Sequence, residues 1–151
     1  MSVWTHVTGQ IRLNDLSMMR DPRDPNCRNV VKDVKKILGP ISTFYKPNRK
    51  CILPMGSEGS LEYDIRQVKD DSNIARFVIS IWGDLRDYDA EDAKEIEKWF
   101  RELKERFENE ETYMYFRDAV LKVETEDENN TATILYYVPE NDEIVGVVIH
   151  G

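Results

Sequence analysis

The sequence predicts an α+β fold in which helices cover one face of an antiparallel sheet. Three observations predict it. Residues 3–13 and 60–68 alternate apolar and polar side chains with period two, as half-buried strands do. Residues 89–108 repeat apolar side chains at helical spacing. Clusters of Asp, Asn, Pro and Gly divide these stretches from one another. The 151 residues read as a single domain, 1–151, long enough to bury a core without disulfides or a metal.

The first strand places Val3, Thr5, Val7, Gly9, Ile11 and Leu13 on one face and Trp4, His6, Thr8, Gln10 and Arg12 on the other. Asp21-Pro22 and Asp24-Pro25 are turn signals, with Asp24 suited to cap a helix that Pro25 enters. Val30, Val31, Val34, Ile37 and Leu38 give helical spacing from Asn26 to Leu38, and Gly39-Pro40 stops the helix. A loop over 39–59 follows, with a short strand predicted at Lys50–Leu53. In 60–68, Leu61, Tyr63 and Ile65 point inward; residues 69–73 read as a hairpin connection. Residues 74–82 are apolar on both sides, the mark of an interior strand.

Asp89 and Asp92 suit a capping box for the next helix. Its inward stripe is Ile96, Trp99, Phe100, Leu103 and Phe107. Pairs such as Lys98/Glu102 and Glu97/Arg101 line its wet side. Three strands complete the chain: Phe116–Glu126, Thr131–Val138 and Glu143–His150. The order β-α-β-β-α-β matches a ferredoxin-like split βαβ core, here with two extra C-terminal antiparallel strands.

Charge narrows function further. The chain carries 21 Lys and Arg against 29 Asp and Glu, net −8. Residues 1–58 are net +5 and residues 59–151 net −13. The acidic balance disfavours direct nucleic-acid binding, which needs cations against phosphate. Nothing in the sequence is apolar enough to span a membrane, and Met1–His6 lacks the start of a secretory signal. Two cysteines, Cys27 and Cys51, fit a reducing cytoplasm. Two histidines on different strands, with no clustered ligands, leave no metal or cofactor motif.

Three segments carry the functional expectations. Trp82-Gly83-Asp84-Leu85-Arg86-Asp87-Tyr88 combines Trp, Arg and Tyr, the types that dominate binding hot spots, so Trp82, Asp84, Arg86, Asp87 and Tyr88 are candidate partner-binding residues. It is read as the joint between a strand and the second helix. Gly56–Ser60 has glycines that can bring backbone N–H groups to an anion. With Lys46, Arg49 and Lys50 it forms an alternative site for a nucleotide or other anionic ligand, with Ser57, Glu58 and Ser60 as contacts. Such a protein would be a sponge or a hydrolase. The tail strand Ile144–Ile149 can pair across a homodimer edge. No nucleophile sits beside a base, which favours a binding protein over an enzyme.

Residues 4–12 (Trp-Thr-His-Val-Thr-Gly-Gln-Ile-Arg), Gly56–Leu61 and Gly83–Tyr88 resemble segments of small accessory proteins of tailed bacteriophages. The resemblance touches about the first 90 residues. It implies bacterial cytoplasm, a host or phage protein as partner, and an accessory or counter-defence role, CRISPR inhibition included. It brings no catalytic residue. In that reading the acidic helix 89–108 and the acidic turn 126–128 face a basic groove on the partner.

Overall fold

Among the described residues, six strands form one antiparallel sheet around a central strand, β1 (Trp4–Asp15). The computed structural model describes residues 3–16, 30–39, 53–68, 75–87, 89–108, 114–127 and 130–150. The remaining elements are α1 (Val30–Leu38), β2 (Glu62–Val68), β3 (Ala75–Arg86), α2 (Ala90–Phe107), β4 (Met114–Thr125), β5 (Thr131–Val138) and β6 (Glu143–His150). The strand order is β2-β3-β1-β4-β5-β6, and every neighbouring pair is antiparallel.

β1 shows why the sheet has one dry face. Thr5, Val7, Ile11, Leu13 and Asp15 are buried, while Thr8 and Arg12 are exposed. The hydroxyls of Thr5 and Thr125, both buried, bond each other at 2.9 Å, so neither is left unsatisfied. Gly9 sits where β1 meets β4 closely: an added Cβ would lie 2.4 Å from the Val120 carbonyl oxygen.

The helices lie against the dry face. On α1, Val34 and Leu38 are buried, and Lys32, Lys35 and Lys36 are exposed. Gly39 ends it in the left-handed region (φ 89°), and its N–H donates to the Lys35 carbonyl at 2.9 Å. The Tyr63 hydroxyl donates to the Gly39 carbonyl at 2.8 Å, tying this helix end to β2. On α2 the capping box forms in both directions between Asp89 and Asp92. The whole stripe Ile96, Trp99, Phe100, Leu103 and Phe107 is buried. Phe107, Phe116 and Tyr137 then meet in sequence, tilted and then edge to face, ring centroids 6.0 Å apart at each step, carrying the core to β5.

Four sequence expectations change. β3 does not stop at Trp82: it runs to Arg86, so the expected strand-to-helix joint is mostly strand. The alternation continues through Gly83 and Leu85, with Gly83 small because Leu61 packs against it. Of the expected strand Lys50–Leu53, residues 50–52 lie outside the described residues and Leu53 lies in a bend; among the described residues Met55 and Ser60 form an isolated bridge. β4 starts at Met114 and carries a bulge opposite Arg12/Leu13. Two residues, Arg117 and Asp118, are exposed in succession there, which moves the buried set from Met114 and Phe116 to Ala119, Leu121 and Val123. Arg101 serves more than a helix ladder, since its guanidinium donates to the Ile144 carbonyl on β6. Residues 69–73, Asp24, Cys27 and Cys51 lie outside the described residues.

Replacing Phe100, which is fully buried, by Ala should cost about 3–5 kcal/mol. Replacing the cap Asp89 by Ala should cost about 1 kcal/mol. Urea unfolding followed by circular dichroism measures both.

Candidate functional site

The uncovered sheet face follows from strand register. Across β2, β3, β1 and β4 one row reads Glu62, Trp82, Thr8, Lys122. The next row toward the start of β1 reads Asp84, His6, Glu124, and Glu126 lies just beyond. In the opposite direction the rows pass through Asp64, Ser80, Gln10 and Val120 to Arg66, Val78, Arg12 and Asp118. Over β5 and β6 the same rows turn apolar, with Tyr136, Ile134, Val145, Val147 and Ile149, and Val120 of β4 joins them. The face therefore has an acidic end with an aromatic, an arginine-bearing end and an apolar flank.

The acidic end is built from β1, β3, β4 and the loop before β2. His6 lies between two carboxylates, with Nδ1 at 2.5 Å from Asp84 and Nε2 at 2.9 Å from Glu126. The hydrogen bond to Asp84 is the main reason its pKa is raised above 6.5; burial opposes this, and Glu126 adds to it. When protonated, His6 donates to both carboxylates and clamps β1 to β3 and to the residue just past β4. Beside it, Trp82 is 41% exposed, and its indole N–H donates to Glu62 at 3.0 Å. The bond fixes the ring on the surface rather than hiding it.

The glycine loop braces this end from the side. Gly56 N–H donates to the Gly59 carbonyl at 3.0 Å, and Ser57 N–H to the Arg86 carbonyl at 3.0 Å. Arg86 N–H returns to the Glu58 carbonyl at 3.0 Å, and its guanidinium bonds the Glu58 carboxylate at 2.8 Å. Ser57 Oγ donates to Asp87 at 2.7 Å. Gly59 adopts φ 77°, and a Cβ there would lie 2.0 Å from the Asp84 carbonyl oxygen. The glycines permit close packing on β3, and the amides of Gly56 and Ser57 are spent on backbone carbonyls.

The two sets of candidates part accordingly. Trp82 and Asp84 share the open face, with Arg86 and Asp87 at its rim. Tyr88 lies outside the described residues. In the alternative set Ser57 and Glu58 are engaged with Asp87 and Arg86, and Ser60 is buried. Lys46, Arg49 and Lys50 lie outside the described residues. His6, Glu62 and Glu126 belong to the site but were not singled out as site residues from sequence. Period-two alternation already put His6 and Glu62 outward, yet nothing local says that Asp84, 78 residues from His6, will be its partner.

A second polar node sits under the β5–β6 turn. Lys104 bonds Glu108 at 2.5 Å and Asp142 at 3.1 Å; Lys104 and Glu108 are each only 13% exposed. Burial works against the Lys104 charge, but the bonds to Glu108 and Asp142 outweigh it and raise its pKa. Burial, and then the 2.6 Å bond to Asp142, push the Tyr137 hydroxyl up to about 12. Glu108 also accepts the Phe116 N–H at 2.8 Å. This node joins the end of α2 to β4 and to the turn, which is a structural task. A shallow open groove runs along the outer side of α2 between Lys94, Glu97, Lys98, Arg101, Glu102 and Glu105. Its charges are of both signs, with pairs such as Lys94–Glu91 and Lys98–Glu102 on that helix.

Among the described residues, no group of three or more His, Cys, Asp or Glu is placed to hold a metal ion, and no helix is long and apolar enough to cross a membrane. Compared with protein-family models, with curated proteins and with solved structures, the chain finds no match.

A histidine whose folded pKa is raised contributes stability that is complete below about pH 6.5 and is lost as pH rises through the folded value. The His6 imidazole, assigned by loss of its signal in His6→Gln, should titrate by NMR with a midpoint above 6.5. Asp84→Asn should lower that midpoint.

Proposed function

We propose that this chain is a non-enzymatic binding protein that occupies the surface of a partner protein with the acidic, Trp82-bearing end of its open sheet face. The observation that carries this reading is Trp82, 41% exposed and oriented by Glu62, beside Asp84, Glu124 and Glu126. A large aromatic held at the surface loses little side-chain freedom on binding, and such residues anchor interfaces. The surrounding carboxylates select a partner surface rich in Lys and Arg and steer its approach. The sheet end suits this better than α2, which balances six acidic residues with five basic ones.

The strand order β2-β3-β1-β4, with α1 between β1 and β2 and α2 between β3 and β4, supports a ferredoxin-like split βαβ core to which β5 and β6 are added. That architecture hosts many functions, so it does not choose one. The resemblance to accessory proteins of tailed phages supports a counter-defence setting in bacterial cytoplasm, with a host or phage protein as target, CRISPR effectors included.

The test is capture from bacterial lysate with wild type and two surface variants. Wild type should retain a basic protein at low salt and release it at high salt, because exposed charges are screened. Trp82→Ala should weaken capture by roughly 30-fold or more, the scale of a hot-spot anchor. Asp84→Lys should also weaken capture while the circular dichroism spectrum is unchanged. Equal capture by all three proteins at every salt concentration contradicts the proposal.

A further inference from the structure

We infer that a second copy of this chain pairs with β6, antiparallel and edge to edge, so that the protein self-associates through its C-terminal strand. This surface is separate from the Trp82 end and goes beyond the role proposed for it. Among the described residues, the two edges of the sheet are β2 and β6, and they differ in kind. β2 carries Glu62, Asp64 and Arg66, charges of the type that discourage edge pairing. From Ile144 to Ile149, β6 carries no charge, no proline and no bulge against β5. It exposes apolar side chains on both sides of the sheet: Val147 (43%) and Ile149 (47%) on the open side, Val148 (53%) on the helix side. A partner packed on one face would leave the other side wet, whereas a strand added at the edge meets both.

The sequence of β6 is complementary to itself. Antiparallel pairing about Val147 sets Val147 opposite its own copy, Val145 opposite Ile149, and Gly146 opposite Val148. Every opposed pair is uncharged, so a chain of net charge −8 meets its copy where repulsion is least. Arg101 of α2 already holds the Ile144 carbonyl, which leaves Gly146–Ile149 as the stretch open to a partner. Among the described residues no other strand pairs with that side of β6. A seam one strand wide belongs to the small, reversible class of interface, so association should depend on concentration.

Sedimentation velocity over micromolar to submillimolar protein reads the prediction. Wild type should move from one 17.7 kDa chain toward the mass of two as concentration rises. Val147→Lys with Val148→Lys, both at exposed positions, should remain a single chain throughout. Should that variant fail to fold, wild-type hydrogen exchange decides: the Gly146 and Val148 amides should slow as concentration rises, while β2 amides do not change. A wild type that stays monomeric across the range, a folded double variant that still dimerises, or β6 exchange indifferent to concentration overturns the inference.

Discussion

β1 imposes the constraint on which the other elements depend. It is hydrogen-bonded to β3 on one side and β4 on the other over almost all of its twelve residues. Its alternation therefore sets the inward face for three strands at once. A shift of one residue would send Val7, Ile11 and Leu13 to water and His6, Thr8 and Arg12 into the core. Gly9 adds a second restriction, because only a residue without Cβ lets the Val120 carbonyl approach so closely. α1 and α2 then cover the face that β1 has made apolar.

Coverage of one face makes the other available, and its chemistry is not what stability alone would select. Exposed ion pairs such as Arg66–Asp64 and Lys122–Glu124 contribute little to folding. The fold is held by the buried stripe of α2, the aromatic series from Phe107 to Tyr137 and the Lys104–Glu108 node. The carboxylates near Trp82 are exposed and engaged only by surface partners: Glu62 by the Trp82 indole, Asp84 and Glu126 by His6, and Glu124 by Lys122. His6 modifies that field: when protonated it offsets part of the charge of Asp84 and Glu126, and when neutral it leaves the end more acidic. The electrostatic character of the candidate site is therefore coupled to pH by the same residue that clamps the strand ends.

Much of the fold was legible because its signals are local. The stripe from Ile96 to Phe107 and the Asp89/Asp92 box need only helical geometry, and both are present. The period-two pattern of β1 predicted its buried side. The extent of β3 was missed because Gly83 and Asp84 are poor strand formers; Gly83 occupies an inward slot that Leu61, just before β2, fills. The change of phase in β4 was illegible because a bulge is set by the partner strand. Gly56–Ser60 suggested an anion cradle since glycines near Lys and Ser allow one. In three dimensions the Gly56 amide bonds the Gly59 carbonyl and the Ser57 amide bonds the end of β3, contacts no spacing rule reveals. The His6 clamp likewise depends on strand pairing between distant residues.

The central claim is that one sheet face is dry and the other is open and carries Trp82. Hydroxyl-radical footprinting read by mass spectrometry tests it directly on the isolated chain. Trp82, Tyr115 and Tyr136 should be modified quickly, and Phe100, Phe107 and Trp99 should be spared. A Trp82 protected as fully as Trp99 would mean that the face is covered, and it would contradict this account.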